Sequence, residues 1–393
     1  MMKKYKLSEL FDLQMGKTPA RNNPQFWDDG ENPWISIADM SSNGKYIITT
    51  KECITDCAVR ETGIKPIFPG TVIMSFKLSV GKVAIVRTPY QCYSNEAIIA
   101  FEINDNISSD DQPSSEYIYY LISSMSFDAL GNKAVMGKTL NKSILSEIIV
   151  NVHDKEQRNH IVDVLTKCDD LIDCRKQQLS KLDELVKSRF IEMFGDPIYN
   201  EKRWLTDSVE NVCSDIYGGG TPSKAHPEYY ENGDIPWVSS KDMKSSILYD
   251  SQIRINQLGV DNSTAKIVPI NSVIMVIRSG ILKHTLPVAI NAVPITVNQD
   301  LKVFVPSQRI TSLFLMYLFK MLEKDILSGV RAVTADNIEF NSLKERMIIV
   351  PPIDLQLEFV TFVEQVDKSK FEIQKSLEKL ETLKKALMQK YFG

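Results

Sequence analysis

Apolar residues recur at alternating steps of four and three along two long stretches of the chain. The first stretch begins at Ile161 and the second at Phe359, which lies 198 residues further on. This spacing is typical of helices that pair along an apolar seam. The predicted seam residues are Leu165, Ile172, Leu179, Leu182 and Val186 in the first stretch and Val363, Ile373, Leu377, Leu380 and Leu387 in the second. The pattern therefore predicts two long helices.

The charged interruptions of the two seams complement each other. Where the first seam has Arg175, the second has Ile373 at the aligned position, and where the second has Lys370, the first has Ile172. Two similar halves usually pack about a pseudo-two-fold axis, so we expect the helices to form an antiparallel coiled coil. The alternative is that each helix packs on its own domain as an ordinary amphipathic element. The first helix should end at FGDP, where a glycine can adopt the left-handed cap and the proline prevents continuation.

A segment rich in proline and glycine occurs twice. Residues 16–40 and 219–243 align without a gap at a constant spacing of 203 residues. The ten identical positions in the first copy are Gly16, Thr18, Pro19, Pro24, Gly30, Pro33, Trp34, Ser36, Asp39 and Met40. Such residues interrupt regular structure, so each segment should be a shaped surface loop. We interpret the identical residues as scaffold, with tight turns at Gly16 and Gly219 and core tryptophans at Trp34 and Trp237.

The similarity continues through β-rich runs at 72 and 273, then SNEAIIAF at 94 and VNQDLKVF at 297, up to the long helices. A repeat of about 200 residues indicates an internal duplication and not a solenoid. The sequence thus predicts an α+β protein with two similar mixed α/β domains in tandem, each followed by a long helix. The predicted boundaries are 1–152 and 196–351 for the domains and 153–195 and 352–393 for the helices.

Composition excludes several function classes. With 393 residues, 43% of them hydrophobic, and a net charge of −4, the chain is typical of a globular protein with local basic patches at most. No apolar run is long enough to span a membrane, and SLFLMYLFKML at 312 should be a core helix.

The cysteines and histidines are too scattered for a metal site. Phosphate-binding, dinucleotide-binding, hydrolase and metalloprotease motifs are absent. The Asp110-Asp111 and Asp169-Asp170 pairs are interpreted as solvated charges.

With this duplicated layout, the chain resembles the specificity subunits of type I restriction-modification systems. The resemblance rests on TP, PW and DM near the start of each half, basic β-loops at 77–82 and 278–284, and the helix that ends in FGDP. It covers essentially the whole chain. It implies two target recognition domains that read the halves of an asymmetric bipartite DNA site. The coiled coil would set the spacer between the half-sites and dock the modification and restriction subunits.

The resemblance also implies candidate DNA contacts. They are Lys77, Lys82, Lys133 and Lys138 in the first domain and Arg278, Lys283, His284 and Arg331 in the second, with Lys17 and Lys224 in the repeated loops. For each residue, DNA contact and plain solvation both remain open.

We expect no catalysis and no cofactor in this chain. S-adenosylmethionine, ATP and Mg²⁺ would belong to partners, namely two methyltransferase subunits and the endonuclease subunits. The expected location is cytoplasmic, with no membrane association. The alternative function is a coiled-coil scaffold for protein partners that does not read DNA, and a nuclease with a cryptic acidic site is a third.

Overall fold

The structure, a computed structural model, describes residues 2–77, 79–108, 112–125, 141–329, 331–332 and 336–393, with the backbone alone at residues 331, 332 and 336. The first domain and its helix contain β1 (Lys3–Lys6), α1 (Leu7–Leu10), β2 (Phe11–Met15), β3 (Asn32–Ile35), α2 (Ile37–Asn43), β4 (Tyr46–Ile47), β5 (Glu52–Ile54), α3 (Asp56–Thr62), β6 (Val72–Ser75), β7 (Val83–Val86), β8 (Tyr93–Ser94), β9 (Ile98–Ile103), α4 (Ser115–Ser123), α5 (Lys142–Ser146), β10 (Ile149–Val152) and α6 (Lys155–Phe194). A short 3-10 helix at Pro24–Phe26 lies between β2 and β3.

A five-stranded sheet in the order β2-β9-β6-β7-β4 forms the centre of the first domain. All its neighbouring pairs are antiparallel except β4 and β7. Successive side chains of a strand point to opposite faces. In β6, Val72 and Met74 accordingly pack against α4, whereas Ile73 packs against a second apolar cluster with Ile47 and Val86. A strand buried on both faces explains the continuous apolar run VIM in the sequence.

The second domain and its helix contain β11 (Thr206–Ser208), α7 (Val209–Val212), β12 (Cys213–Gly218), β13 (Ile235–Val238), β14 (Ile247–Leu248), β15 (Arg254–Ile255), α8 (Gln257–Asp261), β16 (Val273–Val276), β17 (Val288–Asn291), β18 (Thr296–Val297), β19 (Leu301–Pro306), α9 (Ser312–Met321), α10 (Glu323–Ser328), β20 (Arg331–Ala332), β21 (Asp336–Asn337), α11 (Phe340–Glu345), β22 (Met347–Ile349) and α12 (Ile353–Phe392). Short 3-10 helices lie at Pro227–Tyr229 and Gly280–Lys283. The expected core helix is α9, whose residues from Phe314 to Phe319 are buried.

The strand order of the second domain repeats that of the first. Its central sheet is β12-β19-β16-β17-β14, and the three-stranded sheet β15-β13-β18 matches β5-β3-β8. The pair β11-β22 likewise matches β1-β10, which joins the beginning of a domain to its end. The duplication predicted from sequence is therefore confirmed at the level of topology. The second domain also contains the β20-β21 hairpin, and the stretch of the first domain that aligns with it lies outside the described residues.

The two long helices pack on each other in antiparallel orientation. The chain divides into two compact units, residues 1–176 with 376–393, and residues 177–375, so each unit contains one domain and parts of both helices. In the first unit, Lys384 lies 2.5 Å from Asp169. In the second, Lys370 lies 2.6 Å from Asp183 and Arg189 lies 2.8 Å from Glu358. Each helix has 40 residues, which corresponds to about 60 Å.

Neither helix packs only on its own domain. The alternative in which each helix is an ordinary amphipathic element of its own domain is therefore wrong. The end of α12 packs into the core of the first domain, where the Phe392 ring lies 5.7 Å from that of Tyr117. In the second unit, the rings of Phe190 and Phe194 of α6 pack edge to face against Phe359 of α12. All ten predicted seam residues are buried or half-buried. The FGDP sequence ends α6 as expected, because Gly195 has a φ of +76° and its N–H donates to Ile191 O at 2.7 Å.

A buried charge network fixes the first domain to the helices. Asp169 accepts hydrogen bonds from Lys45 Nζ at 3.0 Å and Tyr120 OH at 2.7 Å, in addition to its ion pair with Lys384. Its side chain is only 15% exposed, so the interpretation of Asp169 as a solvated charge is wrong. Burial opposes ionisation, but the bonds from Lys384, Tyr120 and Lys45 outweigh it and lower the pKa of Asp169 below its ordinary value.

We expect Asp169→Asn to destabilise the full chain by roughly 1–3 kcal/mol at pH 7, because two half-buried lysines lose their charged hydrogen-bond acceptor. A carboxyl group whose pKa is lower in the folded state contributes stability above its unfolded pKa of about 4, and this stability disappears as the pH falls through the folded pKa. The difference from wild type should therefore shrink on acidification. Thermal melting between pH 7 and pH 3 measures it. Asp170→Asn, at an exposed neighbouring position, is the control. Equal melting curves for the two variants would contradict the assignment.

Candidate DNA interface

Three loops meet at one end of the central sheet in the first domain. Strands β2 and β6 end there and β9 and β7 begin there, as their antiparallel pairing requires. Lys17 N–H donates to Ser94 O at 2.8 Å, and Phe76 N–H donates to Ala97 O at 2.9 Å. We call this region, residues 16–19, 76–77, 79–82 and 94–97, the loop end of the first domain. The corresponding loop end of the second domain comprises residues 219–222, 277–287 and 297–300.

The repeated glycines allow two backbone segments to touch. A Cβ atom on Gly16 would lie 2.1 Å from Ser94 O, and one on Gly219 would lie 1.8 Å from Val297 O. Neither glycine has the positive φ of a tight turn. Residues 16–20 and 219–223 form no turn, so the expected turn is wrong: glycine is needed because the loop crosses directly over β8 or β18.

The repeated tryptophans are scaffold, as expected. Trp34 and Trp237 are 2% and 7% exposed. Trp34 Nε1 donates to Lys17 O at 3.1 Å and Trp237 Nε1 donates to Gly220 O at 2.9 Å, so each ring fixes the loop that begins at the glycine. The two copies thus hold loops of different sequence on the same frame.

The loop end of the first domain presents several of the predicted basic residues. Lys17 is exposed, and its Nζ donates to Thr62 O at 2.7 Å. Lys77 is half-buried with its Nζ 5.3 Å from the Phe76 ring, and Lys82 Nζ donates to Ser41 Oγ. The predicted contacts Lys133 and Lys138 lie outside the described residues.

In the second domain the predicted residues lie on matching loops. Arg278 follows β16 and forms an ion pair with Asp300 at 2.7 Å. Lys283 and His284 are exposed at the end of the 3-10 helix in the same loop, and Lys224 is exposed in the repeated segment. The backbone of Arg331 lies in β20, and its partner strand β21 bridges to Arg278 through Asn337. The β20-β21 hairpin thereby joins the loop end.

Sequence reasoning missed Lys302. This residue lies on β19 beside Gly218, and its Nζ is 4.5 Å from the centroid of the Phe340 ring. Burial, together with repulsion from Arg278, lowers the pKa of Lys302 below its ordinary value. The signal was present in the alignment of the two copies, because the first copy has Ile99 at this position.

The described residues show neither a metal-binding group of three or more His, Cys, Asp or Glu side chains nor a helix capable of crossing a membrane.

Comparison with known proteins gives a consistent result. The sequence matches the family described as type I restriction modification DNA specificity domain twice, over residues 1–184 and 201–385. Over 98% of its length it is 26% identical to the type I restriction enzyme MjaIX specificity subunit of Methanocaldococcus jannaschii, of which it covers 91%. It is also 37% identical over 153 residues, 38% of each chain, to the EcoR124I/EcoR124II specificity subunit of Escherichia coli.

The fold matches two solved structures. The S subunit of a type I restriction-modification system from M. genitalium superimposes with a TM-score of 0.55 at 14% identity, covering 100% of this chain and 96% of that one. A chain from a study of complex assembly and conformational transition of the type I R-M system gives 0.61 at 16% identity, with coverages of 99% and 97%. With both halves matched by one family and the duplicated fold shared, the chain belongs to the specificity subunits of type I restriction-modification systems.

Proposed function

We propose that each domain reads one half of an asymmetric bipartite DNA target through its loop end. The observation that carries this proposal is that two copies of one frame hold different basic loops, KLSVGK at 77–82 and RSGILKH at 278–284. A shared frame implies a shared task, and different side chains imply different targets. Lysine and arginine suit guanine or phosphate, so the bases read by the two domains should differ.

We further propose that α6 and α12 set the spacer between the half-sites and dock the modification and restriction subunits. Helices of about 60 Å correspond to more than one turn of duplex at ~3.4 Å per base pair. Methylation and cleavage, with S-adenosylmethionine, ATP and Mg²⁺, would then reside in those partners, two of them methyltransferase subunits. This chain would act in the cytoplasm and perform no catalysis.

The test is DNA binding by the chain reconstituted with its modification subunits. Methylated motifs are first mapped in the host genome with and without the gene, and duplexes carrying the mapped motif or a scrambled one are then compared. We expect at least ~10³-fold preference for the motif, with the affinity falling as salt is raised. Indifference to sequence would instead support the protein scaffold. Mg²⁺-dependent cutting by the chain alone would support a nuclease.

A further inference from the structure

The side chain of Lys302 occupies the space beside Gly218 in the second domain. In the register of the sheet, Lys302 pairs with Gly218 on β12. A Cβ atom on Gly218 would lie 2.5 Å from Lys302 Nζ, so the ammonium group lies where a side chain at position 218 would begin. The Phe340 ring of α11, 4.5 Å from Nζ, borders the other side.

The same pair of positions is apolar in the first domain. Met15 pairs with Ile99 in the identical register, and Ile99 is fully buried. The two differences between the copies therefore belong together: a lysine replaces the buried isoleucine, and a glycine replaces the methionine that would obstruct it. Lys302 lies on a strand inside the sheet, and its side chain is bordered by Gly218 and Phe340. Plain solvation does not explain a lysine at such a position.

The described side chains around Lys302 do not neutralise its charge. Arg278 is close enough to lower the pKa of Lys302, and Asp300 lies 2.7 Å from the Arg278 guanidinium. Within the described residues, no carboxylate forms an ion pair with Lys302. Among the described side chains, Lys302 therefore has a cationic neighbour and no paired carboxylate in a partly desolvated place beside the loop end, which favours an incoming acceptor oxygen or nitrogen.

We propose that Lys302 is a DNA-contact residue of the second domain and that its ammonium donates to an acceptor on the DNA of the second half-site. This proposal rests on the function proposed above. The acceptor is either a guanine edge or a backbone phosphate, which share the chemistry of electron-rich oxygen and nitrogen.

The first test is Lys302→Met, which keeps the apolar stem over Phe340 and removes the charge. In the reconstituted complex we expect roughly 10- to 100-fold weaker binding to a duplex carrying the mapped motif. If the acceptor is a guanine, methylation in cells relaxes at one position of the second half-site. If it is a phosphate, the motif stays unchanged and the slope of log K against log salt decreases by about one.

Lys344→Met is the matched control, because Lys344 also borders the Phe340 ring, at 5.9 Å, but is paired with Glu210 at 2.6 Å. It should bind as wild type does. Wild-type affinity, motif and salt slope in Lys302→Met would overturn the proposal, as would relaxation in the first half-site. If the wild-type complex itself shows no preference for the mapped motif, the proposed function fails instead.

A second variant tests the position of the Lys302 ammonium group and keeps its charge. Gly218→Ala adds a methyl group where the ammonium lies, so it should displace Lys302 and weaken binding. In the Lys302→Met background the same change should have little further effect, because no ammonium remains to be displaced. Additive losses in the double variant would overturn the assigned geometry. Thermal melting of the full chain confirms that each variant is folded.

Discussion

Replacing residues 1–152 by those of another specificity subunit is expected to change one half of the methylated motif and to leave the other half and the spacer unchanged. The physical reason is that β1 and β10 pair at the two ends of this segment, so the exchanged piece contains a complete set of strands. The remaining domain keeps its own loop end. Loss of one half-site should reduce binding to the original motif by ~10³-fold or more, approaching non-specific affinity.

The exchange must preserve the contacts between the first domain and the helices. Tyr117 packs against Phe392, and Lys45 and Tyr120 bind Asp169. A matched version of the exchange therefore keeps Lys45, Tyr117 and Tyr120 of the original chain within the replaced segment. Sequencing of methylated DNA from cells measures the outcome. An unchanged motif in a folded, active complex would rule out half-site reading by this domain.

Insertion of one heptad into both helices is expected to lengthen the spacer and leave both half-sites unchanged. Suitable positions are between Lys176 and Gln177 in α6 and between Lys375 and Ser376 in α12, which face each other in the antiparallel pairing marked by Lys176 and Glu381. Seven residues preserve the apolar register of the seam and add about 10 Å. That length corresponds to about three base pairs.

The same methylation mapping reads the result. An unchanged spacer would show that the helices do not measure it. Insertion into α6 alone is the control, because it shifts one seam against the other and should lower the melting temperature and abolish methylation. If the single insertion behaved like the double one, the paired seam would not be the element that sets the spacing.

Much of the architecture followed from the sequence, because the relevant signals are local or repeated. The heptad seam predicted both long helices, since apolar spacing determines which face of a helix can be covered. The aligned copies predicted the duplicated fold and the scaffold role of Trp34 and Trp237. Both tryptophans were predicted to be core residues, and both are buried beneath the loops to which their indole N–H groups donate.

Tertiary structure alone decided which polar side chains meet. Asp169 resembles its exposed neighbour Asp170 in sequence, but only Asp169 faces Lys45, a residue 124 positions away. Gly16 was expected to make a turn, yet its role is a close approach to Ser94, which depends on where β8 lies.

The alignment with Ile99 marks Lys302 as a difference between the copies, but it does not indicate which side chains surround the lysine. Strand register places it against Gly218 and near Arg278, and that register is set by the packing of the whole domain. The sequence thus determined that this protein has two similar domains and two paired helices, because those features repeat along the chain. The tertiary structure decided which charges are buried and which basic side chains lie together at the loop ends, because these depend on contacts between residues far apart in sequence.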